Sequence, residues 1–265
     1  MNRSRSLVIV VALSAAALLV CPRQAAAADG AAGRALVQRY ADAIVGVELV
    51  VTIKVKVGDR EAPPREQRIE VNGTVISPTG LTVTSLAQVD PQVAFDGSRG
   101  GQRGGRGAAE LVGTDFKEVK LRLADGREVP ARFVLKDVDL DLAFMAPETT
   151  DGPKPYAYVK LDEAAEGAVL GNYYFVARAP KTLQRVPLIR ETAIMGIVEK
   201  PRRFYLMTDE APGTPVFDSA GRVLGITLQN FSNGLRTGFV VLPSADIAEM
   251  AKQAAAAQSN PAEKK

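Results

Sequence analysis

Short runs of β-branched and aromatic residues, each closed by Gly, Pro, Asn or Asp, recur along most of this chain and leave little room for long helices. Thr52-Ile53-Lys54-Val55-Lys56-Val57, at the end of the run from Val45, alternates between apolar and polar residues, the period of a strand with one wet face. Gly58 to Arg68, with Pro63-Pro64, predicts an exposed hairpin loop. Alternation resumes at Ile69, Val71 and Val75, and Ser77-Pro78-Thr79-Gly80 forms a turn with Pro in its second position. Leu81 to Val89 then predicts a strand running into a short helical turn. Phe116 to Leu123 and Val129 to Leu135 flank Ala124-Asp125-Gly126-Arg127, a strong hairpin signal. Val169 to Ala177 predicts a strand and Thr182 to Val198 two more. Pro215 to Phe217 and Arg222 to Leu228 enclose the turn Asp218-Ser219-Ala220-Gly221, and a last strand covers Phe239 to Ser244. Helical spacing is confined to Asp29–Ile44 and to Ala245–Ala257, the latter capped by Ser244. Such a chain is all-β, either one large unit or two small barrels.

The first residues carry an address. Arg3 and Arg5 precede an apolar run from Leu7 to Val20, and Ala25 to Ala28 offer small residues for cleavage, the pattern of a secretory signal peptide over residues 1–28. Val20 and Pro22 around Cys21 do not suit a lipoprotein site. The expected location is secreted or periplasmic, with membrane association only through an uncleaved leader. Removing the leader takes away Arg3, Arg5 and Arg23 and brings the formal charge from +3 to zero, so net charge gives no general attraction to nucleic acid or anionic lipid. It also takes away the only cysteine, and with it disulfide and thiol chemistry. The chain has no histidine, which excludes the usual general base and the commonest zinc ligand.

Ser98 to Gly107 is rich in Arg and Gly and predicts a disordered loop over residues 97–107. Without interleaved aromatics it is a poor nucleic-acid binder and reads mainly as a solvated loop. Pro147 to Pro155 has the composition of a connection between two units, and Asp162, Glu163 and Glu166 read as a solvated turn rather than a metal site. No cofactor and no metal are expected.

Four stretches resemble trypsin-like serine peptidases of the HtrA/Deg type. Asn72 to Thr84 is similar to the run that leads into the catalytic histidine of that family, and Asp141 lies in a segment, Asp137 to Phe144, similar to the one holding the aspartate that orients the histidine. Thr208 to Ile226 resembles the nucleophile hairpin, and Phe239 to Leu242 a strand whose edge pairs with substrate. The resemblance implies two six-stranded antiparallel β-barrels of the trypsin-like (chymotrypsin) fold with short flanking helices; many relatives also carry a PDZ domain, which is not expected here. It divides the chain into a first barrel at 29–147, a second at 148–244, and a C-terminal helix and polar tail at 245–265.

Carried over residue by residue, the resemblance places Ala87 at the histidine, Asp141 at the aspartate and Pro212 at the serine. Glu210, Gly213 and Thr214 fall on the glycines of the oxyanion loop. Acyl transfer needs a nucleophile, a base in reach of it and N–H donors aimed at the oxyanion; Ala87 supplies no base, and Pro212 supplies neither hydroxyl nor N–H. The expectation is a pseudopeptidase that binds a polypeptide or partner protein in the cell envelope by strand addition at Phe239, Val240, Val241 and Leu242. Two other readings stand beside it, an active serine-type hydrolase rebuilt around Thr214 and a structural envelope protein.

Overall fold

A computed structural model describes residues 23–99, 109–148, 155–232 and 234–259. The body of the predicted leader, most of the Arg/Gly segment, the middle of the predicted linker and the polar tail lie outside the described residues.

Helix α1 (Arg23–Tyr40) and a single 3-10 turn lead into β1 (Ile44–Val57), which is followed by β2 (Arg60–Glu61), β3 (Arg65–Val75) and β4 (Thr82–Ser85). Two helices come next, α2 (Leu86–Val89) and α3 (Pro91–Arg99), and then β5 (Ala109–Arg122), β6 (Glu128–Asp137) and β7 (Leu142–Pro147). These strands run in the order β2-β1-β3-β4-β7-β6-β5, and β1 pairs with β5 to close a six-stranded antiparallel barrel with β2 hanging from β1. The second closed barrel orders β10-β13-β12-β11-β8-β9, from β8 (Asn172–Arg178), β9 (Pro187–Val198), β10 (Phe204–Met207), β11 (Pro215–Phe217), β12 (Val223–Ser232) and β13 (Leu235–Pro243). Helix α4 (Ser244–Ser259) follows.

Three local expectations are corrected. The loop after β1 is shorter than Gly58–Arg68, because β3 already starts at Arg65 and takes its hydrogen bonds from β1, Ile53 facing Arg65. The region Thr182–Val198 gives one long strand rather than two; before it comes the end of a 3-10 turn (Lys181–Leu183), after which Gln184 and Arg185 take positive φ. Residues 97–99 of the expected disordered loop form the last turn of α3. That helix has a clear local cause: the Asp90 carboxylate accepts the Gln92 N–H at 3.1 Å, and Pro91 sits where a missing N–H costs nothing.

Each barrel closes over its own core. Val47, Leu49, Val75, Leu121, Val129 and Met145 fill the first, and Tyr173, Phe175, Ile194, Val216, Leu224 and Val241 the second. Strand β7 is apolar on both sides for a reason: Ala143 and Met145 face the first core, whereas Leu142, Phe144 and Ala146 join Ile226, Leu228 and Leu242 in a cluster between the barrels. Strand β8 is likewise buried on both faces, with Tyr173 and Phe175 inside and Tyr174 and Val176 under α1.

The two ends of the chain cross over. Helix α1 packs through Leu36 and Tyr40 on the outer face of the second barrel, where the Tyr40 ring stacks on Phe217 at 4.2 Å and its hydroxyl donates to the Gly221 carbonyl at 2.9 Å. Helix α4 packs through Ile247 and Ala254 on the first barrel's outer residues and on Leu242, and Arg132 donates to the Gln258 carbonyl near its end. Arg178 is a third tie, with its guanidinium donating to the carbonyls of Ile44, Ala41 and Arg185.

Candidate functional site

Asp141 closes the turn between β6 and β7 and has a φ of 57°. Its backbone carbonyl accepts the Leu86 N–H at 2.9 Å, so this turn is held on the start of α2. The side chain is completely buried and accepts three hydrogen bonds: from the Ser85 hydroxyl at 2.5 Å, the Ala87 N–H at 2.7 Å and the Gln229 N–H at 2.7 Å. Burial pushes its pKa up to about 6, and the three donors, Ser85 first, restrain that rise. One carboxylate therefore joins β4 and α2 of the first barrel to β12 of the second.

Sequence placed Ala87 beside Asp141, and the structure brings them together, but by the backbone. What reaches the carboxylate is an amide N–H, and the side chain on offer is a methyl group.

The Thr208–Thr214 loop is held from several sides. Arg190 on β9 grips its outer end, with one nitrogen on the Asp209 carboxylate at 2.8 Å and another on the Glu210 carbonyl at 2.9 Å. The Glu210 N–H donates to the Asp209 carboxylate at 2.8 Å, while the Glu210 side chain is exposed. Gly213 N–H donates to the Thr227 carbonyl at 2.8 Å, and its own carbonyl accepts the Thr74 hydroxyl at 2.9 Å. The Thr214 N–H and hydroxyl both turn back on the Ala211 carbonyl, the hydroxyl at 2.5 Å. So the N–H groups of Gly213 and Thr214 are spent inside the fold, that of Glu210 is held by its exposed neighbour Asp209, and Pro212 has none. Gly213 has φ of 79°, and a Cβ there would overlap the Asn72 carbonyl oxygen, so the loop is pressed directly onto β3.

Phe239, Val240, Val241 and Leu242 are not an open edge. On one side β13 is paired to β12 throughout this stretch, from Gln229↔Phe239 to Ile226↔Leu242, and on the other Tyr205 of β10 pairs with Val241. Val240, Val241 and Leu242 are buried. Strand addition expected at these four residues thus meets a strand already in place at Val241, while Phe239 is half-buried and is matched in the ladder by β12 alone.

Sequence reading missed Gln229 and the neighbours of α3. Beyond Gln229, β12 continues to Phe231, and there it meets α3: Gly97 is buried, and a Cβ at that position would run into the Phe231 ring. The Phe231 side chain thus reaches α3, while the helix itself runs beside β13 and β5. Gly97 and Phe231 are remote in sequence, and no local pattern connects them. Among the described residues no group of three or more His, Cys, Asp or Glu is placed to hold a metal ion, and of the three acids in the 162–166 turn Glu163 is paired with Arg39 and Lys160.

Two closed antiparallel six-stranded barrels, with a buried aspartate at their junction facing a short helix from one and a tight hairpin loop from the other, define the trypsin-like class of peptidase domains. The chain belongs to the trypsin-like peptidase domain family, whose model matches residues 71–226. Among solved structures it is similar to the apo crystal structure of the MamO protease domain from Magnetospirillum magneticum. The two share 14% identity over 80% of this chain and 97% of that one, with a TM-score of 0.48. No curated protein matches the sequence.

Proposed function

We propose that this protein is a trypsin-like peptidase homologue that does not hydrolyse peptide bonds and acts, after export, by binding a polypeptide or partner protein. The observation that carries the reading is the state of Asp141. In a working triad this carboxylate orients an imidazole; here its contacts are one hydroxyl and two backbone N–H groups, all of them structural. The loop opposite supports the same reading, since Thr214, the hydroxyl residue beside Pro212, is fully buried and bonded to Ala211, with no lysine or carboxylate among its partners. Loss of a base or of an oxyanion donor removes several kcal/mol of transition-state stabilisation each, about 3–4 for one donor.

The test is incubation of the purified chain with denatured casein and with a fluorophosphonate probe. No cleavage and no labelling are expected. Reproducible cleavage that disappears in Thr214→Ala would establish a rebuilt hydrolase instead.

A further inference from the structure

The outer face of the second barrel carries a group of exposed apolar side chains. Tyr205 and Met207 of β10 point into the second core, so Leu206 between them points out and is exposed. Leu206 faces Gly196 of β9, and the ladder then shifts to Met207 opposite Ile194, which leaves Met195 as an extra residue. Ile194 is buried in the core and Met195 is 58% exposed, so the bulge turns Met195 outward beside Leu206. Gly196 adds no side chain there: a Cβ would stand 3.6 Å from a Leu206 methyl group.

On the other side of β9 the Leu170 N–H donates to the Ile194 carbonyl at 2.8 Å, which sets Val169 and Leu170 against the same bulge. Leu170 has a φ of 63°, a conformation that a bulky residue rarely adopts, and its side chain is 80% exposed. A leucine both strained and exposed does not stabilise the lone chain. Apolar residues scattered singly over a surface are ordinary, whereas Val169, Leu170, Met195 and Leu206 lie together, and such a patch marks contact with another molecule.

The charges at the two ends of the β9–β10 pair say which molecule. Where β10 runs into the Thr208–Thr214 loop, Arg190 is paired with Asp209, and the exposed Glu191 and Glu210 remain. At the turn between β9 and β10, Arg203 is paired with Glu199 and Arg202 with Asp246, and the exposed Lys200 remains. Met195 lies near the middle: Glu191 comes four residues before it and Lys200 five after, about 13 and about 16 Å at the rise of a strand. A face that is apolar at its centre, acidic at one end and basic at the other is complementary to itself under a two-fold rotation.

We propose that a second copy of this chain covers the patch, in a two-fold dimer whose axis passes near Met195. Leu170, Met195 and Leu206 of the two copies pack together at the centre, and Lys200 of each copy meets Glu191 of the other, with Glu210 beside it. The turn after β9 thereby lies against the outer end of the Thr208–Thr214 loop of the opposite copy.

Sedimentation velocity of the purified chain over a concentration series tests this, and a concentration-dependent dimer is expected. Leu170→Asn replaces the exposed apolar group with a residue that tolerates positive φ. It should weaken dimerisation about tenfold while thermal unfolding of the monomer is unchanged or slightly raised. Lys200→Glu and Glu191→Lys each set like charges together at both ends, and each should weaken dimerisation. An equimolar mixture of these two variants restores opposite charges at both ends and should recover most of the wild-type association. A chain that stays monomeric up to about 0.1 mM would overturn the proposal and leave the patch to a different partner. Dimers indifferent to Leu170→Asn would overturn it too, as would a mixture of the charge variants that associates no better than either alone.

Discussion

A carboxylate buried at a barrel junction should announce itself in the pH dependence of folding. Asp141 titrates near 6 in the folded chain against an ordinary value of 3.8, with burial as the leading cause. The folded chain therefore binds a proton more tightly than the unfolded chain, and the stability tied to this group rises as pH falls through about 6 and levels off below the ordinary value. Integrating that linkage from about pH 7.5 to about pH 5 gives a gain of about 1.4 kcal/mol. Asp141→Asn removes the titration. It also turns an amide N–H₂ toward donors that want an acceptor, costing about 1–3 kcal/mol at every pH, but that penalty cancels when each protein is compared with itself. Urea unfolding at the two pH values, analysed by linear extrapolation, yields the difference for wild type and variant. Wild type should gain about 1.4 kcal/mol more than Asp141→Asn on acidification. Parallel pH profiles would refute the reasoning, because they would mean that Asp141 has the same affinity for protons folded and unfolded.

Other outcomes follow from the same contacts. Ala87→His combined with Pro212→Ser should remain inactive on casein, because Asp141 and the N–H groups of Gly213 and Thr214 stay committed to the fold; turnover above background would refute this. Gly213→Ala should cost about 2–4 kcal/mol by thermal or urea unfolding, since the obstacle is the Asn72 backbone, which cannot rotate away. Arg178→Met keeps most of the buried bulk but strands three carbonyls, and the expected loss is about 3 kcal/mol. Tyr40→Phe leaves the stack on Phe217 and removes only the bond to Gly221, so about 1 kcal/mol should be lost, and more would point to a displaced helix.

What sequence could tell about this molecule was local. The turns at Ala124–Arg127 and Asp218–Gly221 are set by their own residues: Asp218 accepts the N–H groups of Ala220 and Arg222, and Gly126 takes its positive φ without strain. Asp141 is legible because the segment around it resembles a motif, and Ala87 because it follows another such run, whereas Ser85 carries no sequence signal of its own. Helix α3 carried a readable signal that composition obscured, an Asp90-Pro91 start followed by Val93, which packs into the first core. The surroundings of the expected binding edge have a different origin. Whether Phe239–Leu242 lies at a margin depends on Tyr205 and Ile226 arriving on either side of it, and strand order in a closed barrel leaves no mark on the strand itself.

The crossed helices bear on how the chain is made. Tyr40 meets Gly221 across 181 residues, so α1 is synthesised long before the surface it covers exists. During vectorial synthesis Leu36 and Tyr40 must wait, apolar and unpartnered, until β8, β11 and β12 have emerged and closed. Closing so long a loop comes late and slowly, and the first barrel in turn lacks its outer cover until α4 leaves the ribosome. The first barrel gains its outer cover only when the last helix arrives, so its apolar outer residues stay open until the chain is nearly complete.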